Sequence, residues 1–209
     1  MDGSETATVT AVDELATLYA RPLERVLRKE IDHVDAMGRA FIAASPFLVL
    51  ATGSSQGLDC SPKGDKPGFV QVADDGRTLL IPDRRGNNRL DTLHNLVGNP
   101  KVGLIFLVPG VNETFRVNGE AVISRDPALT DQFVMQGKAP RTVIVVTVKE
   151  AYIQCSRALV RSDIWNPAKH ALPGAVRSMG TQMAKHTCSF VDAKAFDEEA
   201  KERVPTTLY

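Results

Sequence analysis

The sequence has no surplus of charge of either sign: 25 Lys and Arg balance 25 Asp and Glu among 209 residues. That balance excludes a chain that mainly coats nucleic acid or an anionic membrane, so any anion site must be a local cluster of basic side chains. Long apolar runs are also missing. Residues 1–12 are polar and Thr-rich, unlike a signal peptide, and the most apolar segments, Phe41–Ala51 and Val102–Val111, are too short or interrupted to span a bilayer. Cysteine is scarce: Cys60, Cys155 and Cys188 are widely spaced, with no Cys-x-x-Cys pair. This pattern argues against a disulfide framework or a zinc site and for thiols that pack as small apolar residues in a cytoplasmic protein. The four histidines, His33, His94, His170 and His186, have no metal-ligand spacing. There is no Gly-x-Gly-x-x-Gly fingerprint, no P-loop and no Gly-x-Ser-x-Gly elbow, so the familiar dinucleotide, nucleotide and hydrolase signatures are excluded.

What is present is a succession of short strand-like segments. After a tail over residues 1–21, the spacing of Leu23, Val26, Leu27, Ile31, Val34, Met37 and Phe41 predicts one amphipathic helix over Pro22–Ala44. Phe47–Thr52 reads as a buried strand. Gly68–Ala73 and Thr78–Ile81 flank Asp74-Asp75-Gly76, a hairpin signal. Leu90–Val97 reads as a short helix, and Val102–Val108, Thr114–Ile123 and Thr142–Val148 as strands. Asp126-Pro127 opens a helix holding Leu129, Phe133 and Met135. Lys169–Lys185 and Asp192–Arg203 read as C-terminal helices. Six short strands with peripheral helices favour an antiparallel barrel over a doubly wound sheet, because the hairpin leaves no room for a helical crossover. Residues 22–209 are expected to form one domain.

Two loops concentrate the chemistry. Cys60-Ser61-Pro62-Lys63-Gly64-Asp65 and Pro82-Asp83-Arg84-Arg85-Gly86-Asn87-Asn88-Arg89 each combine cations with small polar residues and Gly/Pro punctuation. Lys63 and Arg89 supply positive charge, Ser61, Asn87 and Asn88 neutral hydrogen-bonding groups, and the turn from Gly86 into the Leu90 helix exposes backbone N–H groups. Together these suit a phosphate group. On charge content alone, a pair of solvated turns would explain them equally well.

The segments Ser61-Pro62-Lys63-Gly64-Asp65, Leu80-Ile81-Pro82-Asp83-Arg84-x-Gly-Asn-x-Arg89, Asn99-Pro100-x-Val-Gly-Leu-Ile-Phe106 and Pro109-Gly110-x-x-Glu113-Thr-Phe-Arg116-Val-Asn-Gly119 carry a longer pattern. With Cys155-x-x-Ala158-Leu-x-Arg161-Ser-x-x-Trp165, they resemble the FMN-binding split barrels of the pyridoxamine 5′-phosphate oxidase-like superfamily over residues 40–170. The resemblance is greatest to a bacterial branch known only as FMN-binding. It implies a mainly β fold with peripheral helices, a six-stranded antiparallel split β-barrel, and a homodimer with FMN in grooves between subunits. It places Lys63 and Arg89 near the ribityl phosphate and the backbone of Ile81 and Pro82 along the isoalloxazine ring, with Ser61 and Pro62 also among the cofactor-binding residues. Asn88 and Thr114 would contribute hydrogen bonds. Arg116, Arg161 and Trp165 would reach the flavin of the partner chain, with Arg161 and Trp165 four residues apart on one helical face; a surface ion pair for Arg161 and a core anchor for Trp165 are the plainer readings. The sequence departs from the oxidase itself at Leu58-Asp59, where an Arg is expected, at Asn87-Asn88-Arg89 in place of Ser-Arg-Lys, and in lacking the C-terminal Arg-x-His motif. Vitamin B6 oxidation is thereby disfavoured. The implied function is an FMN-dependent oxidoreductase acting on a small substrate. A non-catalytic flavin-binding or sensing protein, a groove used for haem or a deazaflavin, and a barrel used only for subunit contact stay open.

Overall fold

A computed structural model describes residues Thr8–Tyr209; the first seven residues of the expected tail lie outside them. The chain forms two compact units, one ending at Glu30 and the other running from Ile31 to Tyr209. The first holds α1 (Val12–Leu18) and α2 (Glu24–Arg28), neither of which buries a residue. The single helix expected over Pro22–Ala44 is not formed. Helix α2 stops at Arg28 and α3 covers only Ala36–Ala44, starting where the Asp35 carboxylate accepts from Gly38 N at 2.8 Å. The intervening backbone is committed elsewhere: Ile31 exchanges bonds with Ala151, and Val34 N donates to Gly76 O. Apolar spacing alone could not report those competing partners.

The second unit is built on β1 (Phe47–Ser54), β2 (Gly57–Gly64), β3 (Gln71–Val72), β4 (Thr78–Pro82), β5 (Lys101–Leu107), β6 (Thr114–Ser124) and β7 (Val143–Gln154). They form one open antiparallel sheet in the order β2-β1-β5-β6-β7-β4-β3, seven strands where six were expected. The added strand is β2. Its alternation is inverted: Leu58, Cys60 and Pro62 are exposed, while the half-buried positions are the polar Asp59, Ser61 and Lys63. Pro62 is tolerated because β2 is an edge strand, where a missing N–H costs no ladder bond. The hairpin at Asp74-Asp75-Gly76 forms as read, with Gly76 at φ 69° and the Asp75 carboxylate accepting from the N–H groups of Arg77 and Thr78.

One face of the sheet buries Leu48, Leu50, Leu104, Phe106, Phe115, Val117, Ile144 and Val146 in a continuous apolar cluster. Helix α3 closes it, adding Ile42 and stacking Phe41 on Phe115 at 6.0 Å; a Cβ on Gly38 would lie 2.6 Å from the Phe115 ring, so the close helix–sheet approach needs glycine there. Helix α4 (Asp91–Gly98) adds Leu96. Complete burial of each large aliphatic side chain contributes about 1.5–3 kcal/mol, enough for this cluster to set the strand register.

The remaining elements are α5 (Pro127–Thr130), α6 (Arg157–Ser162), α7 (Met179–His186) and α8 (Ala193–Thr206). Met135 falls outside α5, in a turn bridged to Lys138, and only the second half of the expected Lys169–Lys185 helix forms. Trp165 lies beyond α6, whose C-cap Asp163 is left-handed, so it does not share a helical face with Arg161. The three cysteines are free and exposed, not packed in the core. No described helix is long and apolar enough to cross a membrane.

Candidate functional site

Strand β2, the end of β4, the loop into α4 and the approach to β7 enclose a cleft of about 1030 Å³, the size of a small-molecule site. Both loops singled out by their composition open onto it. Ser61, Pro62, Lys63, Pro82, Asn88 and Arg89 all line it, so Lys63 and Arg89 belong to one cavity. Six cationic side chains line the cleft (Lys63, Arg84, Arg85, Arg89, Lys138 and Arg141) against three carboxylates (Asp59, Asp83 and Asp91). In a chain of zero net charge this is a local positive excess that favours an anion.

The basic groups differ in how they are held. Lys63 Nζ donates to Asp83 Oδ1 at 3.1 Å, both side chains being about four-fifths buried (20% and 18% exposed). Arg89 pairs with Asp91 at 2.8 Å but stays 71% exposed, and the Asp91 carboxylate holds its guanidinium more firmly protonated than usual. Such an exposed pair adds little to stability, leaving Arg89 free to change partners. Arg84 is fixed more tightly, donating to Asp65 Oδ2 (2.7 Å) and to Phe133 O (2.6 Å). Burial pushes the Asp65 carboxyl up, but the Tyr209 hydroxyl, the Lys66 N–H and the Arg84 guanidinium outweigh it and hold the group below its ordinary value.

Beneath the cations lies a polar floor. Ser61 Oγ and Thr92 Oγ1 both donate to Asp59 Oδ2 at 2.8 Å and stand 3.0 Å from each other. Thr92 is buried on the first turn of α4, tying the edge strand to the helix. Asn88 and Leu90 adopt left-handed conformations (φ 59° and 60°), and the turn they make leads into the N-terminus of α4. Thr142, whose carbonyl accepts from Asp83 N, lines the cleft with a buried hydroxyl that has no hydrogen-bond partner. A buried polar atom left unpaired costs about 1–3 kcal/mol, so an unmet donor or acceptor at the wall of a cavity is the kind of group a ligand satisfies.

The other expected site residues are elsewhere. The Ile81 side chain is wholly inside the core, whereas the expectation concerned its backbone, which directly precedes the lining residue Pro82. Thr114 is buried at the start of β6, and Arg116 lies over the Tyr152 ring (5.4 Å) with Nη1 3.4 Å from Gln154 Oε1. Trp165 Nε1 donates to Val111 O at 2.9 Å, and Arg161 sits in the last turn of α6. None of the five lines the cleft within this chain.

Sequence reasoning missed Asp59, Thr92, Lys138, Arg141, Thr142 and Tyr209. The run Gly137-Lys138-Ala139-Pro140-Arg141 has the same punctuation and charge as the two loops that were singled out, and that signal could have found it. Tyr209 has no local signal: it meets Asp65 across 144 positions of sequence.

The pyridoxamine 5′-phosphate oxidase family model matches residues 34–155, more than half of the chain. The chain belongs to that family. The resemblance carried by the motifs is therefore correct at the level of the superfamily and its split-barrel fold. No curated protein matches. Similar solved structures include HupZ of Group A Streptococcus (18% identity, 57% of this chain and 93% of that one, TM-score 0.47). General Stress Protein 26 of Bacillus anthracis (17%, 55% and 88%, 0.42) is another, as is a nimc/nima family protein of Clostridium acetobutylicum (15%, 56% and 91%, 0.39).

Proposed function

We propose that this family member binds FMN in the cleft, as a homodimer, and works as an oxidoreductase on a small substrate. The observation that carries the reading is the meeting of Lys63 and Arg89 in one positively biased cavity of adequate size. A phosphate dianion takes short, charge-assisted bonds from such groups. Lys63 and Arg89 would hold the phosphate, with Ser61, Asn88 and the backbone N–H groups entering α4 as neutral donors. Pro82, Phe69 and Leu93 are apolar lining that suits a flat ring. The unpartnered Thr142 hydroxyl adds a donor or acceptor on the same wall. Bound flavin would supply reversible hydride or electron transfer, and the chain's own groups would bind, orient and shield it.

A dimer would let Arg116, Arg161 and Trp165 complete the partner's site. Support comes from the sheet's second face, where Gly103, Ile105 and Leu107 are only half-buried and Leu58 and Val122 are 92% and 63% exposed. Exposed apolar residues on a sheet face are available to a partner surface.

The test is a titration of apoprotein with FMN, followed by quenching of flavin fluorescence. Lys63→Ala and Arg89→Ala should each weaken binding about tenfold, the equivalent of ~1.4 kcal/mol, with the melting temperature preserved in Arg89→Ala and lowered in Lys63→Ala, which strands the Asp83 carboxylate. Wild-type affinity in both variants would defeat the assignment. The absorbance spectrum of the purified protein separates flavin from haem, and a monomer on gel filtration with FMN still bound would contradict the shared groove. Reduction by a nicotinamide followed by reoxidation by a defined acceptor separates an enzyme from a flavin-binding sensor.

A further inference from the structure

Residues 171–209 have a distinctive way of meeting the barrel. Helix α8 buries none of its residues and α7 only Gly180. The two helices pack on each other, with Gly180 N donating to Asp197 Oδ1 at 2.8 Å and no room for a Cβ on Gly180 against Ala193 O. Around them Leu172, Val176, Met179 and Phe190 are exposed. So little burial puts the segment at the low end of local stability, where opening is cheap. It is tied to the barrel through Tyr209. The Tyr209 hydroxyl donates to Asp65 Oδ1 (2.6 Å), its ring lies 5.5 Å from the Arg84 guanidinium, and its backbone oxygen accepts from Lys138 Nζ (3.2 Å). Arg84, Lys138 and Tyr209 itself all line the cleft.

We infer that Tyr209, carried by the loosely held residues 171–209, is a removable latch that covers one wall of the cleft. The inference rests on the reading of that cleft as the flavin site. Closed, Tyr209 occupies Lys138 and walls the cavity. Open, it withdraws and leaves Lys138 available to an incoming anion, so ligand and latch compete for the same cation. Asp65 stays paired to Arg84 in either state, which lets the latch open without stranding a buried carboxylate.

Two measurements on the full chain test this. In the first, trypsin is added without flavin, and cleavage after Lys194, Lys201 and Arg203 is timed for wild type, Tyr209→Phe and Tyr209→Ala. Loss of the latch should speed cleavage about fivefold, the ratio one net hydrogen bond is worth; Tyr209→Phe, which keeps the ring, should fall between. In the second, stopped-flow mixing measures FMN association, which should be faster in Tyr209→Ala by a similar factor because the latch no longer holds Lys138, with release unchanged. Equal cleavage in all three proteins, or faster cleavage with unchanged FMN association, overturns the latch. If no protein binds FMN, the flavin assignment fails separately and the cleavage rates alone decide the latch.

Discussion

Strand β1 turns Leu48, Leu50 and Thr52 into the core, whereas β2, hydrogen-bonded to it along its length, turns Asp59, Ser61 and Lys63 towards the cleft. The register sets the contrast residue against residue: Leu50 lies opposite Ser61, and Leu48 opposite Lys63. One strand is buried by apolar transfer, with a neighbour on each side. The other is an edge held by its ladder to β1 and by the Asp59–Ser61–Thr92 contacts to α4. Adjacent strands can thus divide labour, one supplying stability and the next chemistry, provided the scaffold strand fixes the register of the working one.

Substitutions can break that contrast. The largest effect is expected from Leu50→Ala, which empties a fully buried position and should cost about 2–5 kcal/mol in chemical denaturation. A loss below about 1 kcal/mol, outside the range for such truncations, would mean that β1 does not anchor the sheet. Thr92→Val should come next. It removes a buried hydroxyl from the Asp59 carboxylate and should cost about 1–3 kcal/mol, with FMN affinity falling too if α4 positions Arg89.

A smaller effect, about 1 kcal/mol, is expected from Tyr209→Phe, and its pH dependence is diagnostic. Asp65 titrates below its ordinary value when folded, so its contribution is present above about pH 4 and is lost as pH falls through the depressed folded value. Tyr209 helps to depress it. The difference between wild type and Tyr209→Phe should therefore be full at about pH 6–8 and vanish in acid. Because Asp65 also holds the Tyr209 hydroxyl above its usual value, the difference should fade again only above about pH 10. A difference that persists unchanged into acid would show that the hydroxyl acts without the carboxylate.

The same contrast explains what could be read in the sequence. Strands β1 and β5 were legible because burial leaves a run such as Val102–Val108 apolar throughout. The hairpin was legible because Asp74-Asp75-Gly76 states its own geometry. Strand β2 carries no apolar strand signal, since its inward residues serve a cleft and are polar, which erases the alternation. Its Lys63 and Ser61 were nevertheless found, from the mixture of cation, small polar residue and Pro/Gly. The break between α2 and α3 was hidden because a helical spacing of apolar residues says nothing about where Ile31 and Val34 send their backbone bonds. Asp59 and Thr92 looked like ordinary polar residues because the contact that gives them meaning joins positions 33 apart.

The central claim is that Lys63 and Arg89 grip one phosphorylated ligand. Its most direct measurement is the FMN dissociation constant of wild type, Lys63→Ala, Arg89→Ala and the double variant under one salt condition. Each single change should weaken binding about tenfold and the pair by more, with folding intact. Unchanged affinity in the double variant would contradict the claim.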